Sequence, residues 1–310
     1  MEKQFLFIIG APKSGTTWLQ IMLGAHPQVC TTVELTIFNR YTAPWIRAWE
    51  NEAANIKEGR WHQGLPFLWT EKEFYEYLKK FVHGVYERVI EKNPNATHIL
   101  DKQPNYSAHI EEIDRLVPDA KYIHLVRDGR DVAVSMVAAQ KNIGYGSGTI
   151  PESAQNWLHH VRMARQAAKF SNRYLEVRYE DLLTDGAATL KTIFDFCGLP
   201  ASSAEVATII ENHQFSKMKS KRQHADRHVQ TSSHFYRKGV SGSWQEELAP
   251  LQRYAIDRIA GGLIRELGYA HDGWWHQNFL QKFTLPFLDG ARGLFEKIRR
   301  TAARVLGNGV

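Results

Sequence analysis

Four short, mostly apolar runs, at 5–9, 98–100, 121–126 and 174–177, punctuate the chain, and each is followed by a turn or by apolar positions recurring every three or four residues. Runs of this length bounded by turn residues predict buried strands, and the periodicity after them predicts helices. The helical stretches fall at 17–25, 71–91, 108–116, 132–140, 152–170, 189–197, 204–212 and 251–267. Strands alternating with helices form βαβ units with parallel strands, so the pattern predicts a three-layer α/β/α fold around a central, mainly parallel sheet. Ligands in such sheets bind beyond the carboxyl ends of the strands. Lys13, Lys102 and Arg127 each follow a strand, so one site can collect all three. The order of the strands stays open.

Composition narrows the class. The 310 residues are 43% hydrophobic with nine tryptophans, which supports a packed globule, and no linker or internal repeat divides them. The reading is one domain over 1–284 and a C-terminal amphipathic, basic helix or tail over 285–310. In that tail Phe287, Leu288, Leu294, Phe295, Ile298, Val305 and Leu306 recur at helical spacing, and Arg292, Lys297, Arg299, Arg300 and Arg304 outnumber Asp289 and Glu296. Such a helix rests on an anionic membrane, covers a second copy in a homodimer, or packs on its own domain. Two unrelated cysteines, Cys30 and Cys197, and the absence of an apolar run of membrane length point to a cytoplasmic protein. The net charge of +6 and the basic stretch 217–227 raise nucleic-acid binding, but no helix-turn-helix, RNA-binding strand or zinc spacing accompanies them. The fourteen histidines show no metal-ligand spacing, so no metal is expected.

The first strand runs into Gly10-Ala-Pro-Lys-Ser-Gly-Thr-Thr17. The two glycines allow close backbone approach to an anion, and the helix that follows offers unpaired N–H groups. The spacing of Gly10 and Gly15 fits the phosphate loop of nucleotide triphosphatases, G-x-x-x-x-G-K-[ST]. Thr16, however, stands where that pattern has lysine, and the only loop lysine, Lys13, lies inside. The displacement favours a P-loop-like turn that grips a 5′-phosphate and sets an ammonium beside the bond being broken. A nucleotide kinase, an NTPase and a non-catalytic nucleotide-binding protein are the alternatives.

Pro12-Lys13-Ser14-Gly15-Thr16-Thr17-Trp18-Leu19 resembles the first signature of sulfotransferases that use 3′-phosphoadenosine 5′-phosphosulfate (PAPS). Lys121 to Met136 resembles the second, a strand ending in arginine with a serine eight positions later, and Tyr236-Arg-Lys-Gly-Val-Ser-Gly-Ser-Trp244 resembles the third. The resemblance implies sulfuryl transfer from PAPS to an acceptor hydroxyl or amine. It implies that Arg127, Ser135, Arg237, Lys238 and Gly239 bind the 3′-phosphate, and that residues 12–18 hold the 5′-phosphosulfate. Tyr179 in Tyr-Glu-Asp-Leu182, Phe215 and Trp18 match the family's adenine contacts. Either aromatic stacking or core packing accounts for Phe215.

The chemistry asks for in-line alignment of an attacking oxygen and for neutralisation of developing charge. Lys13 suits the leaving oxygen. Lys102, in Asp101-Lys-Gln-Pro-Asn-Tyr106, resembles the E-K-[TS]-P-x-Y segment of carbohydrate- and protein-modifying members, with Asp101 replacing glutamate. The histidine base of the phenol and steroid branch is missing there, because Gln103 follows the lysine. Glu34, beyond His26-Pro-Gln-Val29, is the only carboxylate between residues 3 and 49 and is the candidate general base, with Asp101 as the alternative. The aromatic segment with Trp45, Trp49, Trp61, Phe67 and Trp69 is expected to wall an acceptor site for a small molecule, sugar or lipid.

Overall fold

The computed structural model describes residues 3–214, 217 and 239–290. Two compact units contain them: the described residues of Met1–Arg127 and His159–Gly239 form the first, and those of Asp128–Leu158 and Val240–Val310 the second.

The first unit is built on five strands: β1 (Gln4–Ile9), β2 (Val29–Thr31), β3 (His98–Lys102), β4 (Lys121–Val126) and β5 (Tyr174–Arg178). They form an all-parallel sheet in the order β2-β3-β1-β4-β5, so the predicted α/β fold is present. β2 was not expected. Its three residues carry no readable period, and it exists because Val29 to Thr31 pair with His98 to Leu100.

Alternation along β1 divides the core. Leu6 and Ile8 face one side, where α1 (Thr16–Gly24), α7 (Tyr179–Thr184), α8 (Gly186–Cys197) and α9 (Ser203–Asn212) supply Leu19, Met22, Leu182, Ile193, Phe194 and Val206. Phe7 and Ile9 face the other, against α2 (Ala43–Lys57), α3 (Glu71–Ile90) and α4 (Ile110–Leu116). Burial on both faces explains why β1 reads as an apolar run and why β4, from Tyr122 to Val126, is broken only by His124. Thr70 begins α3 with a capping box: its side chain accepts from the Glu73 amide at 3.3 Å, and Glu73 accepts from the Thr70 amide at 2.8 Å.

From β1 the chain turns toward β2, and from β4 toward β5. The connections therefore diverge at the carboxyl ends of β1 and β4. That divergence is the switch point where such sheets bind ligands.

In the second unit α5 (Gly129–Ile143) follows β4 directly, and a 17-residue helix spans Pro250–Glu266. Residues 279–290 are helical as well, so helix is already under way at Leu285. Residues 291–310, most of the expected tail, lie outside the described residues. Among the described residues no helix is long and apolar enough to cross a membrane.

Candidate active site

The loop after β1 is held by sterics that only glycine satisfies. Gly10 and Gly15 take φ of 141° and 98°; a Cβ on Gly10 would lie 2.5 Å from the Leu125 carbonyl oxygen, and one on Gly15 2.6 Å from the Tyr179 ring. Lys13 itself adopts a left-handed φ of 68°, and its carbonyl accepts from Arg127 Nη1 at 3.2 Å. The loop is thus tied to the end of β4. α1 starts at Gly15 with no side-chain cap, leaving its first amides to another partner. Ser14 is fully buried, and its Oγ has no hydrogen-bond partner among the described residues. An orphaned hydroxyl, an uncapped helix start and a loop bounded by two positions too tight for a Cβ suit a bound phosphate or sulfate group. Pro12 and Thr16 are buried beside it, and Thr17 is half-buried.

Aromatic rings back this loop. The Arg127 guanidinium lies 4.4 Å from the centroid of the Tyr179 ring, and Trp18 meets the same ring edge-on at 5.8 Å. The Trp18 indole N–H donates to the His213 carbonyl at 2.8 Å. Tyr179 is buried, so its ring braces Gly15 and Arg127. Phe215, Arg237 and Lys238 lie outside the described residues. Gly239 is described and takes a φ of 67°.

One strand over, Lys102 ends β3 opposite Ile8 of β1. Its side chain is 4% exposed and ion-pairs with Glu34 Oε1, while Gln103 Nε2 donates to Glu34 Oε2 at 3.1 Å. Glu34 keeps 42% of its side chain exposed, so a fixed carboxylate still faces outward. Successive strand residues point to opposite faces, and Asp101 turns away from this pair. Its Oδ2 accepts from Tyr86 at 2.9 Å and Tyr106 at 3.1 Å. Burial pushes the Asp101 carboxyl up to about 6 against the opposing pull of those two hydroxyls. Tyr106 in turn accepts from the Ile37 amide at 2.9 Å, joining Asp101 to the segment that carries Glu34.

Trp49 stacks on Phe74 at 4.4 Å and is core, whereas Trp45, Trp61 and Phe67 are exposed. Only part of the aromatic segment is therefore available to an acceptor.

Two networks had no signal in the sequence. In the first unit, His124 Nδ1 meets the Tyr174 hydroxyl at 2.8 Å, and Glu176 accepts from that hydroxyl at 2.9 Å and from Arg165 Nη2 at 2.7 Å. Register alone brings them together, since His124 pairs with Glu176 across β4 and β5. In the second unit, Arg130 is bonded to Asp128 through Nε at 2.9 Å and Nη2 at 2.7 Å. Its guanidinium also lies 3.9 Å from the Trp244 ring centroid and 4.7 Å from that of Trp274. Arg130 is a structural clamp, buried at the start of α5. Ser135 lies on α5 in the second unit, and Arg127 closes the first segment of the first unit. Among the described residues no group of three or more His, Cys, Asp or Glu can hold a metal ion.

This arrangement, a phosphate-type loop without the triphosphatase lysine and with cations at the ends of neighbouring strands, defines a nucleotide-dependent group-transfer fold. The chain belongs to the sulfotransferase family, whose model matches residues 6–203. An uncharacterised Aquifex aeolicus protein is 28% identical over 207 residues, 64% of this chain and 26% of that protein. A putative protein-tyrosine sulfotransferase of Caenorhabditis briggsae is 27% identical over 205 residues, 64% of this chain and 67% of that protein. The chain thus spans about a quarter of the first relative and two thirds of the second. A mouse sulfotransferase solved in complex with PAP shares the fold at a TM-score of 0.56 and 21% identity, over 87% of this chain and 88% of that one.

Proposed function

We propose that the chain is a PAPS-dependent sulfotransferase acting on an acceptor hydroxyl. The observation that carries this reading is the Glu34 carboxylate fixed by Lys102 and Gln103 at the end of β3, one strand from the glycine-bounded loop. The mouse structure solved with PAP and the putative tyrosine sulfotransferase among its relatives support it. When bound, PAPS supplies the sulfuryl group and departs as adenosine 3′,5′-bisphosphate.

Each residue then has a defined task. The loop amides, Ser14 Oγ and Thr16 and Thr17 hold the 5′-phosphosulfate, while Arg127, Ser135, Arg237, Lys238 and Gly239 hold the 3′-phosphate. Tyr179, Trp18 and Phe215 frame the adenine. Glu34 takes the proton as the acceptor oxygen bonds to sulfur and the bond from sulfur to the phosphate oxygen breaks. Lys13 neutralises the charge left on that oxygen, and Lys102 stabilises the group in transit. Asp101 serves by holding Tyr86 and Tyr106, and so the backbone at Ile37, just after Glu34. Residues 1–284 act as the catalytic domain, and the two buried free thiols suit a cytoplasmic setting. The acceptor is a small molecule, a sugar or a lipid.

The test pairs binding with turnover. Adenosine 3′,5′-bisphosphate should raise the unfolding temperature where ATP with magnesium does not, and sulfate transfer should appear in a panel of phenols, tyrosine peptides, sugars and lipid alcohols. Lys13→Ala should keep the fold and lose about a hundredfold or more in turnover. Stabilisation by ATP with magnesium alone, or full turnover in Lys13→Ala, overturns the reading.

A further inference from the structure

The helix at residues 279–290 wears its apolar face outward. Asn278 Oδ1 accepts from the Gln281 amide at 3.0 Å, and Gln281 Oε1 accepts from the Gln277 amide at 2.8 Å, so the sequence itself sets the start of this helix. At 3.6 residues per turn, Phe279, Leu280, Phe283 and Phe287 fall within about 100° of arc. All four are exposed, from 60% for Phe283 to 77% for Phe279. The opposite side is the one that packs: Leu285 is buried, and Asp289 pairs with Arg258 at 2.6 Å on the helix Pro250–Glu266. This is the reverse of an ordinary surface helix, which turns its apolar stripe to its own domain. The rings of Phe279 and Phe283 meet each other edge-on at 4.9 Å.

Charge selects the occupant. From residue 279 to the last residue, Lys282, Arg292, Lys297, Arg299, Arg300 and Arg304 oppose only Asp289 and Glu296. A second copy would bring two segments of the same sign together, whereas anionic lipid offers both an acyl boundary for the phenylalanines and phosphates for the cations. We infer that this helix docks the protein on the surface of an anionic membrane, with the stripe Phe279, Leu280, Phe283 and Phe287 entering the headgroup boundary. The inference rests on the outward stripe and the local charge, and it stands whether or not the chain transfers sulfate.

Co-sedimentation of the full chain with vesicles tests it. Vesicles of phosphatidylcholine containing phosphatidylglycerol should pellet the protein at low salt, pure phosphatidylcholine should do so at least tenfold less well, and added salt should release it. Phe283→Asp, at an exposed site, should leave the unfolding temperature unchanged and weaken vesicle binding about tenfold or more. Equal binding by the variant, or none by the intact chain, overturns the inference. So does a fall in the unfolding temperature of Phe283→Asp, which would show the chain's own residues covering the stripe. A concentration-dependent dimer that Phe283→Asp abolishes, without vesicle binding by either protein, would assign the stripe to a second copy and likewise overturn it.

Discussion

Asp131, in the second signature, accepts the backbone amide of Trp244, the last residue of the third, at 3.0 Å. The same buried carboxylate accepts from the Gly242 amide at 2.7 Å and from the Ser243 hydroxyl at 3.0 Å. Two motifs more than a hundred residues apart are thereby pinned to one side chain. Three donors meeting on one carboxylate satisfy its oxygens inside the protein, and they make it hard to replace. Asp131→Ala should cost about 3 kcal/mol of stability in urea unfolding, because it removes the acceptor shared by two buried donors and one half-buried donor. Asp131→Asn, which keeps one oxygen, should cost less. Equal stability of Asp131→Ala and the unaltered chain would show that the motifs are held otherwise.

Asp101 gives a pH signature of the opposite sign to most acids. Its folded carboxyl is raised to about 6 from an ordinary 3.8 by burial. Between those values the folded state binds more protons than the unfolded one, so stability falls as pH rises through that window. The loss amounts to roughly 1–3 kcal/mol and is complete above the folded value. Asp101→Asn cannot titrate. The difference in unfolding free energy between the unaltered chain and Asp101→Asn should therefore shift against the unaltered chain from pH 4 to pH 7, and a pH-independent difference would contradict the buried carboxyl.

Glu34→Gln should separate binding from chemistry. The amide still accepts from Lys102, so affinity for adenosine 3′,5′-bisphosphate should hold while turnover drops about a hundredfold or more. If Asp101→Asn instead shows that loss with Glu34→Gln active, the proton acceptor is Asp101.

Arg127→Ala removes a donor to the Lys13 carbonyl and a cation from the Tyr179 ring. Affinity for adenosine 3′,5′-bisphosphate should fall by about one to two orders of magnitude, and its advantage over AMP should vanish. Calorimetric titration with both nucleotides reads the outcome; an undiminished preference would remove Arg127 from the 3′-phosphate site.

What the sequence discloses follows from local chemistry. β4 is legible to the residue, Lys121–Val126, because burial on both faces leaves an apolar run that a basic residue opens and Arg127 closes. α2 escaped notice. It is preceded by a π-turn at Phe38–Thr42, which blurs the helical period at its start. The predicted helix over 152–170 is an α-helix only to Ala164 and then a 3₁₀ stretch from Arg165. The loop residues 10–17 could be read because glycine spacing is a backbone requirement written in the sequence. The bonds from Glu34 to Lys102, from Asp131 to Trp244 and from His124 to Tyr174 could not, since each joins segments that only strand register or tertiary packing brings together.

Because β1 lies between β3 and β4, the strand ends run across the sheet in the order Lys102, the loop that carries Lys13, then Arg127. Neighbouring strands are about 4.8 Å apart, so the ladder itself sets the spacing of those strand ends. On the proposed reading, sulfuryl travels sideways across the sheet, from the β4 side that grips the nucleotide toward the β3 side where Glu34 waits. The long excursion at residues 32–97 joins two strands that are already neighbours, β2 and β3. On that reading, acceptor preference can drift through the excursion while the loop and strand ends that take the nucleotide stay fixed by register.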